Sequence, residues 1–500
     1  MKNFLLSVFT LCISFMGAFG EIREVKIGDF YYQLNNQSLT ATIIKERGAD
    51  NEYKMSVINV PLTVAYEGLT YNVKLGAGCF YGSPNLSTVT IPSGIVAIPE
   101  GCFSGCQRLT TVNLPASLDS IYQGAFNGCT SLTSINLPEG LRYFGEATYG
   151  KQLSLSSGIF ESSGIKDIKL PSGIKHIPDY AFASCKNLRN IILPKDLKII
   201  GRTAFASSAI EKITLPVSLE VISSAAFERT NLSELNIPES VHFIGSYSLG
   251  STLLEKVEFP DKVTVLRANT FARSKLSEFS IKPSVMEVNP ACFRDIPLRK
   301  LIIADAYEPL TFVYDVSDYS GGYNETDIKG NWFLRSAEAI EELYIGRELT
   351  VKMPQNDSIS RADEPEIETN PFKDFTGIRK LIIGEAVTDA TMIDLAGCKN
   401  LNTIEIKSSI PPAISQLSDE QKSTVTLIIP SGSVDAYESS PEWSGFTNIV
   451  ESTESSIESI GTDNCSSPTE YYNLQGIRVL TPGHGIFIEK KGSSAKKVIL

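Results

Sequence analysis

Residue types able to do chemistry are few in this 500-residue chain, and their spacing separates them. The three histidines are His176, His242 and His484. His176 lies five residues past Pro171 and His242 four past Pro238, in distant copies of one pattern, so they do not pair as metal ligands. The chain has no H-E-x-x-H, no G-x-S-x-G and no Gly-rich phosphate loop. Carboxylates cluster twice: Asp305, Asp315, Asp318 and Asp327 in one segment, Glu364, Glu366 and Glu368 in another. Glycoside hydrolysis needs two carboxylates held about 5–10 Å apart on a rigid frame. These segments have the composition of turns, and the D-x-D-x-D-G spacing of a calcium loop is missing, so they read as solvated acidic loops.

Aromatic residues gather in 304–338, where Tyr314, Tyr319 and Tyr323 stand among Ser and Gly. Tyrosine offers a large contact area at low entropic cost, which makes these three the candidate partner contacts. Trp332 and Phe333 read instead as anchors that fold the segment down, and Trp443 as part of a closing unit.

Cysteines follow a register. Cys106, Cys129 and Cys185 each sit three residues after a phenylalanine, while Cys79, Cys102 and Cys292 each precede one. That placement marks small core fillers. Stacked copies bring Cys79 near Cys102 and Cys106 near Cys129 with parallel Cβ directions, so free buried thiols are expected rather than bridges. None of them has the C-x-x-C spacing of a zinc site.

That register belongs to a repeat, which must position everything else. Anchors recur at Phe80, Phe103, Phe126, Phe160, Phe182, Phe205, Phe227, Leu249, Phe271 and Phe293. Strand-like triplets end at Ile91, Leu114, Leu137, Leu170, Leu193, Leu215, Ile237, Phe259, Ile281 and Ile303, at spacings of 23, 23, 33, 23 and then 22 residues. The signal returns at Ile345, Ile383, Ile406 and Ile429. Alternation within each triplet turns one side inward, and stacked strands bond into one continuous parallel sheet about 65 Å long at ~4.8 Å per strand. A proline, as Pro194 after Leu193, follows most of these strands, cannot donate and ends the ladder, and Gly145, Gly201 and Gly245 permit the turn to the next anchor. Core positions are therefore Phe103, Phe126, Phe182, Phe205 and Phe227 with Leu114, Leu137, Leu193 and Leu215. The outward row Thr90, Asn113, Asn136, Lys169, Ile192, Thr214, Asn236, Glu258, Ser280 holds no aromatic ring, which argues against sugar stacking on that face.

The segments Ala204-Phe205, Ile210 to Pro216 and Leu219 to Ile222, and the closing run Ile429 to Tyr437 with Trp443 and Phe446, resemble the BspA-type bacterial leucine-rich repeats of exported Bacteroidetes proteins. The resemblance covers Ile58 to Glu451. It implies a repeat solenoid and an adhesin-like role, binding a host or cell-surface protein or a glycan.

Remaining features bound the organisation. Lys2, the apolar run Phe4–Met16 and Ala18-Phe19-Gly20 read as a signal peptide over 1–20, so the chain is expected to be exported, secreted or at the cell surface. Residues 21–78 read as an N-terminal β cap of short antiparallel strands. A leucine-rich repeat solenoid follows over 79–451, with insertions near 146–158, 304–338 and 350–374, then a linker at 452–470 and a small β tail at 471–500. Beyond the leader no apolar run is long enough to span a bilayer. Without Lys2 the charge is 44 basic against 57 acidic residues with no dense basic cluster, which excludes nucleic acid as a partner. The reading is a noncatalytic binding protein without cofactor. Two alternatives stand beside it: a carbohydrate-active protein with its site in 304–374, and a purely structural envelope protein.

Overall fold

A computed structural model describes residues 23–45, 53–145, 158–313, 340–352, 372 and 377–452, with the strands Thr469–Tyr472, Arg478–Val479, Ile486–Lys491 and Ser494–Ile499. The leader, Tyr314, Tyr319, Tyr323, Trp332, Phe333 and Glu364 to Glu368 lie outside these residues. Among the described residues no helix is long and apolar enough to cross a membrane.

The repeat builds a leucine-rich-repeat solenoid whose turns bond to one another at three places. In a first strand column the triplets pair in parallel, as in Ile58↔Val89↔Val112 and Phe279↔Leu301↔Leu343↔Leu381↔Ile404↔Leu427. A second column comes from the end of each L-x-x-I segment: Ile199–Ile200, Val221–Ile222 and Phe243–Ile244 pair in register. At the third place the turn around each anchor bonds to the next, with the Phe103 N–H donating to the Ala125 carbonyl at 2.9 Å and that of Phe205 to Ala226 at 2.8 Å. Most backbone groups of a turn thus find partners on its neighbours, which lets short strands stack without long ones.

The anchors form a spine. Phe80, Phe103, Phe126, Phe160, Phe182, Phe205 and Phe227 stack at centroid spacings of 5.4–5.6 Å, with ring planes within 14° of parallel. All are fully buried. Leu249 interrupts the column, and Phe271 and Phe293 resume it at 5.9 Å. Leu215 is buried, whereas Leu114, Leu137 and Leu193 pack at the margin and stay partly exposed. Cysteine fits as a filler: Cys106, Cys129 and Cys185 donate to the carbonyls of Phe80, Phe103 and Phe160, one turn back, at 3.1, 3.2 and 2.9 Å. All seven described cysteines are buried. Burial pushes the Cys185 thiol up to about 11, which suits a core group rather than a nucleophile.

Three expectations need correction. The first column is not one continuous sheet: among the described residues it falls into strands from Val57 to Asn113, the pair Asp167–Lys169 and Asn190–Ile192, and seven strands from Glu278 to Ser452. The long gap begins where the unit shortens from 23 to 22 residues, and as far as Phe243–Ile244 the second column carries the ladder across it. The 21–78 region is not all cap, because Val57–Asn59 pairs in parallel with Thr88–Thr90 and starts the stack one turn early. Within the cap, Thr40–Ile44 and Leu69–Leu75 also pair in parallel. Its Phe30 and Tyr53 cover Phe80 at 6.1 and 5.3 Å. Finally, Gly145 has a φ of +82°, but Gly201 and Gly245 are glycines for lack of room rather than for a left-handed turn.

Left-handed residues do occur, two in most turns, flanking the anchor. Early turns use Gly78, Gly101 and Gly124 before it; later ones place Tyr180, Thr203, Ala225, Tyr247 and Asn269 there at φ near +56 to +59°. A side chain in this region costs about 1–2 kcal/mol, and a β-branched one is worst. Thr203→Gly is therefore expected to raise stability by about 0.5–1 kcal/mol after the extra chain entropy of glycine, read as a higher urea midpoint. Thr203→Val should give no gain.

At the far end Asn448–Ser452 extends the stack beyond Ile429. Trp443 is buried against Tyr437 and Phe446 and donates Nε1–H to the Pro412 carbonyl at 2.7 Å, closing the core as expected. The tail strands form their own antiparallel sheet.

Candidate functional site

A groove of about 740 Å³ runs along the outer side of the first column, lined by 190–192, 212–214, 234–236 and 256–258. It coincides with the gap in the ladder. From 193 to 277 the first column holds no paired strand, and the backbone there keeps a long contact from the Ser233 N–H to the Glu211 carbonyl at 3.3 Å. The second column and the phenylalanine spine hold the first three of these turns together, and anchor-turn bonds such as the Phe227 N–H to the Ser248 carbonyl at 2.9 Å hold the fourth, so the opening is a shaped surface on a bonded frame.

Its chemistry comes from the triplets. Ile191, Ile213 and Val257 are partly buried beside the core and Leu235 is buried, giving an apolar floor. Ile192 rises from one end, 61% exposed. Along the rim the residue three before each strand end alternates in sign: Lys212, Glu234, Lys256, Glu278, Lys300, Glu342, Lys380. Lys212 reaches Glu234 at 3.2 Å and Lys300 reaches Glu342 at 2.8 Å. Exposed pairs of this kind contribute little stability, about 0–1 kcal/mol each, but they fix long side chains in a pattern a partner can read.

Past Ser280 the outward row continues as Ile302, Tyr344, Ile382, Glu405 and Ile428, so an aromatic does stand on this face. The 42-residue gap before Ile345 hid it from the repeat count. The Tyr344 hydroxyl donates to Asp305 Oδ1 at 2.7 Å, and burial together with this carboxylate raises its pKa. Glu405 lies between Lys380 at 3.0 Å and Lys407 at 2.5 Å. These acids are engaged in the sheet surface, not poised in a cleft. His176 and His242 stand apart on the second-column side, both exposed. Of the remaining aromatics in 304–338, Phe312 is buried against Phe372 at 5.5 Å and Tyr307 is 63% exposed. Among the described residues no cluster of His, Cys, Asp or Glu has the grouping of a metal site.

The repeat is confirmed independently of its geometry. Residues 73–157, 153–277 and 198–312 match the family described as BspA type leucine rich repeat region, in six copies. The chain carries a BspA-type leucine-rich repeat region. The strand register continues well past residue 312, so the same parallel stacking extends through turns that the family match leaves out. No curated protein matches. Solved structures similar to the chain include a leucine-rich repeat protein from Bacteroides ovatus, 19% identical over 79% of this chain and 100% of that one, TM-score 0.49. A leucine rich cell surface protein from Faecalibacterium prausnitzii is 18% identical over 87% and 96%, TM-score 0.37. The pneumococcal vaccine antigen PcpA is 14% identical over 87% and 99%, TM-score 0.35. The BspA-type assignment rests on the family match and the repeat, not on these superpositions.

Proposed function

We propose that the chain is an exported, noncatalytic display protein, adhesin-like, whose groove over 190–258 binds a polypeptide partner. The observation that carries this reading is the groove itself: four consecutive turns with an opened ladder, an apolar floor and a charged rim. Repeat stacks offer extended surfaces of this kind without a cleft that excludes water. A polypeptide suits the site better than a glycan because its lining holds no aromatic ring on which a sugar could stack. The BspA-type family match agrees with a role outside the cell.

The test passes the full chain over immobilised extracellular-matrix proteins and glycans. The double variant Ile192→Glu, Lys256→Glu changes exposed lining and reverses one rim charge, and should weaken binding at least about tenfold, the ~1.4 kcal/mol of a modest contact site, with an unchanged melting midpoint. Undiminished binding by this variant would place the contact elsewhere. Hydrolysis of a glycan by the wild-type chain would favour the carbohydrate-active reading.

A further inference from the structure

The two cysteine pairs that the repeat brings together differ in what their sulfurs do. Cys106 and Cys129 point their thiols at carbonyls of the preceding turn. Cys79 and Cys102 point theirs at each other, Sγ to Sγ 3.4 Å, in a fully buried site. Their turns are locked together around them, the Phe80 N–H donating to the Cys102 carbonyl at 3.0 Å and Gly78 to Glu100 at 2.8 Å. Neighbouring turns at about 4.8 Å fall inside the Cα separation a disulfide accepts, and closure to ~2.05 Å asks the sulfurs to approach by little more than ~1.3 Å.

We infer that Cys79 and Cys102 form a disulfide joining the first two anchor turns, made as the chain folds in the presence of a small-molecule disulfide. In the first step a Cys79 thiolate attacks one sulfur of the oxidant, forming a mixed disulfide and expelling one thiolate. The Cys102 thiolate then attacks Cys79 Sγ and expels the second. The two protons lost by the cysteines pass to the expelled thiolates, so the cysteines are oxidised by two electrons and the oxidant is reduced by two. Burial, aided by the Cys79 contact, raises the Cys102 pKa well above the ordinary thiol value, so exchange belongs to the open turns of the folding chain and not to the finished core. The position matters. Phe80, next to Cys79, is the ring on which Phe30 and Tyr53 of the cap rest, and a bond here ties the cap-bearing turn to the stack.

This inference adds a covalent feature that the binding reading does not need, and its test depends on neither export nor ligand. The full chain is refolded from denaturant in a mixture of reduced and oxidised glutathione, free thiols are blocked with iodoacetamide, and peptides are mapped by mass spectrometry. A linked pair containing Cys79 and Cys102, lighter by two hydrogens, is expected, with Cys106, Cys129 and Cys185 alkylated. Dithiothreitol should then lower the thermal midpoint of the wild type and leave that of Cys102→Ala unmoved. Alanine is the residue that Ala125, Ala181, Ala204 and Ala226 already place before the anchor, so this variant suits the fold. Alkylation of both thiols, a glutathione adduct without the cross-link, or linkage of either to another cysteine would each overturn the inference; the wild-type map decides without the variant.

Discussion

Phe205→Ala is expected to destabilise the repeat region by about 3–5 kcal/mol, the range for emptying a buried aromatic site. The ring is fully buried and faces Phe182 at 5.5 Å with planes 4° apart and Phe227 at 5.4 Å with planes 9° apart. Collapse cannot fill the space. Each neighbouring turn is fixed by its own backbone bonds, including Phe182 to Ala204 at 2.8 Å. Because a solenoid turn answers chiefly to its neighbours, the loss should be local first: amide exchange should rise in the turns around 182–227 before the seven-stranded region past Glu278 responds. A urea midpoint and local exchange pattern matching the wild type would show that the column carries no load.

Gly201→Ala should cost about 1–3 kcal/mol or more through overpacking alone. A Cβ at this place would stand 2.6 Å from the Ile177 carbonyl oxygen and 2.7 Å from Asp179 N and the Pro178 carbonyl carbon. All three are backbone atoms of the preceding turn, and the Gly201 N–H donates to that same Ile177 oxygen at 2.8 Å, so the two turns cannot separate without losing the bond. Gly101→Ala is the control, since its Cβ meets nothing within 4 Å and its penalty comes from a φ of +59°. Both variants lower the melting midpoint.

Much of the architecture was legible in residue spacing. The phenylalanine period marked the spine, since a buried ring every 22 or 23 residues has no other use in a stack, and the proline after each triplet from Ile91 to Phe259 marked the strand end. The closing Trp443 was equally readable. What escaped depends on the relation between turns rather than on any one of them. The second strand column comes from two-residue strands such as Ile199–Ile200, too short to show a period of two. The opened ladder over 193–277 was not legible, because turns of the same 22-residue length pair in full register at Glu278–Ile281 and Lys300–Ile303, so unit length alone does not mark where the strands part. Glycine misled for a related reason: Gly201 and Gly245 looked like turn-makers, and only the approach of the next backbone shows what excludes a Cβ. Of the site, the exposed Ile192 and the Glu-Lys pairs were visible as residues, but the groove that gathers them was not.

The central claim is one regular stack of turns, and distances between spin labels along its outward row measure it directly. Labels at the exposed Asn113 and Asn236 stand five turns apart, which at ~4.8–5.5 Å per turn gives about 24–28 Å, and moving the second label to Glu258 should add about 5 Å. An increment of this size confirms the stack. Equal distances, or a shorter one to Glu258, would contradict it.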